Sequence, residues 1–401
     1  MKSNRVVVLC NAMDDELRNE RRITSDSPAA SKKVFDTCES LSLAGIEASV
    51  LSLGRGGGAS GRRSFAPKSI SAKGFVVRYA RFSQSRLFSK VVSLFSLAAQ
   101  FHVMGFTRNR DCRTVVVAYN RLTAYIPAVL LARLTGAEVV VDIEDGELAD
   151  SGSRFASLAA RFTSLFYEWF AGRKVLLACT ALAGSTRVRP YLCHYGNYSP
   201  VNPGIRWCGP AVNILASGTL SESTGLDMLI GAIREMRRER KGAGGRPVCF
   251  HVSGQGPLAS SIAEIAGIES GVEVVFHGRL SFDEYRELLL GCEVGLALKP
   301  NSGPLAHTTF PSKTIEMAGA GLLLVTTDIS DVRKIFGESA LYLVSDSPGE
   351  LHERIEWLLH HKEQAALMAQ TGESIVSRDF SQGAVGQRLA AFLFPAEQEN
   401  D

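Results

Sequence analysis

Apolar positions along the chain fall into short continuous runs, separated by stretches whose apolar residues recur at helical spacing, and the alternation starts twice. Arg5–Cys10 has the length and content of a buried strand. A polar connection over Asn11–Ser31 leads to a helix predicted from about Lys32 to Leu43, stopped by Gly45, and Glu47–Leu53 makes the next strand. Such a β-α-β opening predicts a doubly wound domain, whose ligands bind outside the carboxyl ends of the strands. Strands over Gly74–Tyr79, Thr114–Ala118, Glu138–Val141 and Lys174–Cys179 continue it, with helices ending at Thr135 and spanning Arg154–Ala171. Ser199–Pro210, which carries Pro and Gly, reads as a linker. The pattern then restarts with a strand at Val212–Ala216, a helix to about Arg238, and strands at Val248–Ser253, Val272–Phe276, Val294–Leu298 and Leu322–Thr326. Helices are expected over Ser281–Leu290, Leu351–Leu359, Glu363–Thr371 and Phe380–Leu393.

Length agrees with this doubling, because 401 residues exceed what one hydrophobic core usually serves. Eight cysteines are scattered without a CxxC pair, several of them inside expected strands. They read as buried thiols in a reducing compartment, and Val6–Cys10 is too short for the apolar core of a signal peptide. The net charge of +3 conceals an asymmetry: residues 1–200 carry 27 Lys/Arg and 16 Asp/Glu, a balance of +11. From Leu51 to Arg110 there are 11 basic residues and no acidic one. An anionic partner of the first half is implied, a lipid head group or a phosphorylated acceptor, and no nucleic-acid recognition motif accompanies the charge. Val91–Thr107 holds no Lys, Arg, Asp or Glu, a length marginal for spanning a bilayer. Its two readings are a buried helix and a segment lying in a membrane interface. Gly54–Gly61 lacks the spacing of a P-loop and reads as a flexible linker.

Candidate chemistry concentrates in Phe310-Pro311-Ser312-Lys313-Thr314-Ile315-Glu316. Pro311 suits the start of a helix and Gly321 its end, so Lys313 and Glu316 share a face in the first turns. Free amides at Ser312–Lys313 and the Lys313 charge would hold a phosphate, and Glu316 can accept hydrogen bonds from a diol. In the first half, Asp142-Ile143-Glu144-Asp145 ends a strand, where Glu144 or Asp145 could orient an acceptor hydroxyl or move a proton. A metal site is the other reading, but neither a His nor a second acidic cluster is near in sequence. Arg21 and Arg22, on the first connection, together with Asn120 and Arg121 after the strand Thr114–Ala118, are the acceptor-binding candidates, although a solvated charge pair also explains the two arginines. Gly254-Gln255-Gly256-Pro257-Leu258-Ala259 is a weak echo of a dinucleotide fingerprint. A nicotinamide enzyme would want an acid at the end of the next strand, where His277-Gly278-Arg279 stands instead.

The segment Phe310–Glu316 resembles the donor-site helix of retaining glycosyltransferases of the GT-B fold, the GT4-like group, in a variant reading F-P-S-K-x-x-E. Further landmarks follow in the expected order: Gly218-x-Leu220, Gly254-x-Gly256-Pro257, Gly278-Arg279 and the terminal helix at Phe380-Ser381. The resemblance implies an α/β fold of two doubly wound Rossmann-like domains facing each other across a cleft. Residues 1–203 would bind the acceptor, 204–378 the nucleotide sugar, and 379–401 would cross back to the first domain. It implies that Glu316 binds the ribose, that Gly218, Gly254 and Gly256 let backbone approach the donor, and that Arg279 lies near the nucleobase. Two cations that normally clamp the diphosphate are replaced by Thr219 and Thr224, which leaves Lys313 and Lys299 as substitutes. The first glutamate of the family's E-x7-E pair is Thr308, so His307, Thr308 and Thr309 would line the sugar pocket. The implied reaction is metal-free, cofactor-free transfer of a sugar from a UDP- or GDP-sugar, with retention, to a glycan or polyprenyl-linked acceptor. The implied setting is surface polysaccharide assembly in the cytoplasm, at the inner face of the plasma membrane. The alternative is an inactive relative that binds a glycan or a partner.

Overall fold

The structure is a computed structural model. It describes residues 3–23, 27–55, 64–83, 89–104, 112–144, 154–170, 174–201, 204, 206–240, 247–268, 271–302 and 306–396. The chain forms two compact units, Met1–Asn197 with Gln382–Asp401, and Tyr198–Ser381.

The strands of the first unit are β1 (Ser3–Cys10), β2 (Glu47–Ser52), β3 (Ser64–Phe65), β4 (Lys68–Ala72), β5 (Phe75–Tyr79), β6 (Phe82–Ser83), β7 (Cys112–Tyr119), β8 (Glu138–Ile143), β9 (Val175–Leu177) and β10 (Tyr191–Cys193). Eight of them make one sheet in the order β10-β9-β8-β7-β1-β2-β5-β4, and β3 pairs with β6 alone. Neighbours in the large sheet are parallel except β4 and β5. Parallel strands are covered on both faces, which is why Val6–Cys10, Val115–Tyr119 and Val139–Ile143 are buried without alternation. The strand order reverses between β1 and β7.

Two helices of the first unit depart from the predicted boundaries, and in the second unit helix Lys362–Asp379 runs well past the expected end at Thr371. Asp15–Arg21 is helical inside the expected polar connection, because the Asp14 side chain caps it by accepting from the Leu17 amide at 2.7 Å. Ser27 and Pro28 start the next helix, Pro28–Leu43, four residues early: Ser27 Oγ accepts from the Ala30 amide, and proline needs no partner at the first helical position. The helix Gln382–Leu393 packs on Pro28–Leu43 within this unit. A Cβ at Gly386 would stand 2.0 Å from the Ser40 carbonyl oxygen, so that close approach requires glycine.

The second unit contains β11 (Val212–Thr219), β12 (Val248–Gln255), β13 (Val272–Gly278), β14 (Val294–Ala297), β15 (Leu323–Thr327) and β16 (Ala340–Leu343), all parallel in the order β13-β12-β11-β14-β15-β16. One core includes Val212, Ile214, Phe250, Val274, Leu296 and Val325 on one face of the sheet, packed under helices Leu226–Glu239 and Pro348–His360. Here the strand order reverses between β11 and β14. Where the chain enters and leaves this unit, its two ends are pinned together: the Tyr198 amide donates to the Phe380 carbonyl at 2.8 Å, and Tyr198 bridges to Ser381.

Candidate functional site

A cavity of about 520 Å³ opens at the reversal point of the second unit, between the carboxyl ends of β11 and β14. Its walls come from Ala216, Ser217, Thr219, Leu220 and the turn after them, from Leu296–Pro300, and from Phe310–Lys313 at the start of helix Lys313–Gly319; Gly218 is not among the lining residues. Reversal points of open α/β sheets leave such a crevice because the connections on either side run to opposite faces. The volume lies in the range of small-molecule sites, and two ammonium groups, Lys299 and Lys313, sit in a largely apolar wall.

Lys313 is the centre of the arrangement. Its Nζ donates to the Ser217 carbonyl at the end of β11. Burial brings its pKa down to about 8, against which the Glu316 carboxylate pulls upward. A desolvated ammonium with one carbonyl partner is predisposed to take an anion. A Cβ at Gly218, whose φ is +114°, would stand 1.9 Å from that Nζ, so glycine is required for the lysine to lie there. Helix Lys313–Gly319 is two turns long, and the Thr314 and Ile315 amides close on the Pro311 and Ser312 carbonyls at 2.9 and 3.2 Å. The side-chain charge is therefore a larger attraction for phosphate than the helix end. Glu316 does not line the cavity; its Oε2 accepts from the Tyr285 hydroxyl at 3.2 Å, which lies 3.3 Å from Ser217 Oγ. Burial holds the Tyr285 phenol well above its ordinary pKa, so it remains a donor.

The other donor-side candidates divide into two groups. Thr219, Thr224, Lys299, Pro311 and Ser312 line the cavity. The Thr224 hydroxyl closes its own turn, 2.6 Å from the Thr219 carbonyl and 2.9 Å from that of Ser221, and Lys299 Nζ bonds Thr309 Oγ1. His307, Thr308, Thr309 and Arg279 are not among the lining residues. His307 and Arg279 are exposed, Thr308 is half-buried and Thr309 is buried. Gly254 and Gly256 serve the packing of strand ends: Cβ atoms there would lie 1.8 Å from the Gly218 carbonyl oxygen and 2.4 Å from that of Leu220.

In the first unit Arg21, Asn120, Arg121 and Glu144 are engaged by backbone or by other side chains of the unit. Arg21 is 2% exposed, its guanidinium donating to the Gly54 and Arg55 carbonyls and lying 4.7 Å over the Phe65 ring. Arg22 is exposed in the left-handed conformation that ends its helix. Asn120, also left-handed at φ 60°, donates its amide to the Asp142 carbonyl at 2.7 Å and accepts from the Arg121 amide at 3.1 Å. Arg121 Nη1 donates to Ser164 Oγ at 3.1 Å. Glu144 pairs with Lys33 at 2.5 Å, and Lys33 also donates to the His194 carbonyl at 2.8 Å. Asp142 is buried, and burial first, then the neighbouring Glu144, pushes its carboxyl well above the usual range. Asp145 lies outside the described residues. Among the described residues no group of three or more His, Cys, Asp or Glu is placed to hold a metal ion.

Residues 211–361 match the family model "Glycosyl transferases group 1". Solved structures similar to this chain include the Anabaena protein HepE in complex with UDP, at 13% identity and TM-score 0.64, covering 97% of this chain and 99% of that one. Sucrose-phosphate synthase from Thermosynechococcus elongatus matches at 12% identity and TM-score 0.68, covering 96% and 97%. The trehalose-6-phosphate synthase OtsA matches at 11% identity and TM-score 0.66, covering 97% and 98%. The fold is GT-B. No curated protein matches the sequence.

Within this GT-B chain the family match contains the whole cavity. Tyr285 escaped the reading of the sequence because its helix, Phe282–Leu290, shows it beside Phe282, Leu288 and Leu289 as one more apolar position. Ser217 escaped because its contribution is a backbone carbonyl, which residue type does not reveal. A polar residue at the last inward position of β11 was the available signal.

Proposed function

We propose that the protein transfers a glycosyl group from a nucleotide-diphosphate sugar, the nucleotide being UDP or GDP, to a glycan or lipid-linked acceptor, with retention at the anomeric carbon. One observation carries the reading: a desolvated ammonium, Lys313, held at the rim of a ligand-sized cavity where the strand order of the second unit reverses. The family match over 211–361 supports it, as do the complexes of HepE with UDP and with UDP-glucose. The bond from the anomeric carbon to the diphosphate oxygen breaks while the bond to the acceptor oxygen forms on the same face. The acceptor proton passes to the departing phosphate. Charge grows on the diphosphate as it leaves, and a fixed ammonium in a water-poor site stabilises that charge more than it stabilises the bound donor. Lys299 adds a second cation once its bond to Thr309 is exchanged for the ligand. Of the expected contacts, Glu316 to the ribose and Arg279 near the base remain parts of this proposal, as do acceptor contacts by Arg22, Asn120, Arg121 and Glu144. Arg21 is withdrawn from that set, because it is buried and its Nη groups already meet backbone carbonyls in the interior. Surface polysaccharide assembly at the cytoplasmic face of a membrane is the setting proposed, with no metal required.

A second reading has a specific observation behind it. Thr219, Thr224 and Thr308 stand where the resemblance expects two cations and a carboxylate, and the Thr224 hydroxyl already closes its own turn. An idle relative that binds a glycan or a partner protein would show this pattern. Calorimetry with UDP, GDP and ADP separates the two. Micromolar binding of one nucleotide, followed by turnover of its sugar conjugate, is the expected result; an absence of binding by all three favours the idle relative.

A further inference from the structure

Helix Arg154–Phe170 turns its apolar side outward. Leu158, Phe162, Leu165 and Trp169 recur at steps of four, three and four, which places them on one face, and they are 62%, 70%, 52% and 82% exposed. The opposite side meets the first unit through the buried Tyr167 ring and through polar groups. Thr163 is buried with its hydroxyl 3.1 Å from that of Thr123, and the Tyr167 hydroxyl donates to the Leu122 carbonyl at 2.6 Å. Ser164 accepts from Arg121. A helix resting on a soluble domain ordinarily wets only its polar side; this helix buries the Tyr167 ring, with Phe166 stacked on Phe170, and still leaves a second apolar stripe exposed. Its neighbourhood is similar. Helix Ser89–Val103, which packs on helix Ile126–Leu134 and on the turn at Thr123–Tyr125, exposes Val91, Phe95 and Val103, and Leu134 is 84% exposed.

Charge decides what covers this face. Arg161 is exposed beside the stripe, no acidic residue lies on it, and Glu168 is turned aside to accept from the Arg187 amide at 2.9 Å. The first 200 residues carry a balance of +11. A second copy of the chain would bring like charge against like charge, whereas a bilayer with anionic lipids attracts it. We propose that helix Arg154–Phe170 lies in the interface of an anionic membrane, with Phe162 and Trp169 at the depth of the head groups and Arg161 among their phosphates. No helix among the described residues is long and apolar enough to cross a membrane, so the seat is superficial. The contact is centred on this helix rather than on Val91–Thr107, for which the sequence left both a buried helix and an interfacial segment open. Arg121, a candidate for the acceptor, is bonded to this same helix. The seat itself does not depend on glycosyl transfer.

Co-sedimentation of the full chain with phosphatidylcholine vesicles, with and without phosphatidylglycerol, tests it. Binding to the anionic vesicles is expected, with Trp169 fluorescence shifting to the blue and quenched by brominated lipid; Trp207 is buried and Trp357 is stacked on His361 in the second unit. The double variant Phe162→Asp, Trp169→Asp should need about tenfold more lipid or beyond for half-binding. Leu367→Asp, at a 63% exposed position of the second unit, should change nothing. Nucleotide binding by calorimetry should persist in the double variant, which keeps this test separate from that of the donor site. The proposal is overturned if wild type ignores both kinds of vesicle, if it binds phosphatidylcholine alone equally well, or if the double variant binds as wild type does. A wild-type dimer that the double variant converts to monomer overturns it as well.

Discussion

The two sheets share a topology and differ at its reversal point. In the second unit, the ends of β11 and β14 border a cavity of about 520 Å³ with Lys313 at its edge. In the first unit, a cavity beside β1 and β7, under helices Pro28–Leu43 and Gln382–Leu393, is about 10 Å³, room for one water, and several described charged groups of the unit are met by the chain itself. Arg21 meets two carbonyls, Lys33 meets Glu144 and a carbonyl, and Asp14 caps a helix while bonding the Tyr79 hydroxyl. Topology supplies a crevice in principle. Whether it receives a ligand depends on whether side chains close over it and neutralise one another. The second unit leaves a lysine under-solvated beside open volume, whereas Arg21 and Lys33 of the first are turned to partners in the chain.

The sharpest way to break this contrast is to remove the lysine. Lys313→Ala should lower turnover about 100- to 1,000-fold, the size expected for one preorganised charge at a leaving group. Circular dichroism and thermal melting should show the fold intact. Lys33→Ala in the first unit should do the opposite: a lower melting temperature, from an uncompensated Glu144 in a pair whose side chains are 10% and 16% exposed, with nucleotide affinity unchanged. If the Lys313 variant keeps full activity, the contrast between the two reversal points has no functional meaning.

A smaller effect follows from protonation. Only the charged form of Lys313 attracts diphosphate, and its pKa is about 8, so nucleotide affinity should fall as pH rises through 8, approaching tenfold per unit. A bound diphosphate would push that pKa back up, and calorimetry in buffers of different ionisation heat should register proton uptake on binding near pH 8. Stability runs the other way. Between the folded value near 8 and the ordinary 10.5 the unfolded chain binds more protons, so this group makes the fold more stable as pH rises through that window. Lys313→Arg should flatten the affinity profile, because guanidinium does not titrate there.

How much of this was legible in the sequence depends on how local each feature is. The parallel strands were readable because burial on both faces imposes continuous apolar runs, as in Val6–Leu9 and Leu323–Val325. Lys313 stood out because proline and serine before it mark a helix start. That its ammonium ends on Ser217, 96 residues earlier, is a tertiary fact with no local trace. Arg21 reads as a surface charge until Gly54 and Phe65 arrive from later segments to enclose it. Helix Arg154–Phe170 teaches the complementary lesson: the sequence showed a helix there, but helical spacing does not say which of its sides water sees.

Asp142 sharpens the comparison from the first unit's side. Its carboxyl is buried, its Oδ1 lacks a hydrogen-bond partner, and its pKa is well above the ordinary carboxylate range. A folded-state pKa above the unfolded value means the folded chain holds more protons, so the contribution is complete below about pH 4 and is lost as pH rises through the folded pKa. Asp142→Asn removes that titration. The expected result is a gain of roughly 1–3 kcal/mol at pH 7 by urea unfolding and a shallower decline of stability with pH. An unchanged pH profile would mean that the carboxylate is ionised in the fold, and the interior of this unit would then be less completely neutralised than the contrast requires.

The smallest expected effect concerns Thr224, where a cation was expected and a hydroxyl closes the turn instead. Thr224→Ala should cost about 1 kcal/mol, because the Thr219 and Ser221 carbonyls lose a half-buried donor, and it should leave nucleotide affinity within twofold. Thr224→Lys asks the more useful question. The position lines the cavity, so an added ammonium there faces the space in which Lys313 and Lys299 already stand. If a diphosphate occupies it, a third charge should tighten binding by roughly threefold to fivefold at low salt, the worth of one partly screened pair, and the gain should fade as salt rises. If the cavity holds a neutral ligand, repulsion among the three lysines is the same with and without it, and affinity should not gain at any salt concentration. A salt-sensitive gain, or its absence, distinguishes an anion site from a merely open crevice without requiring that the acceptor be known.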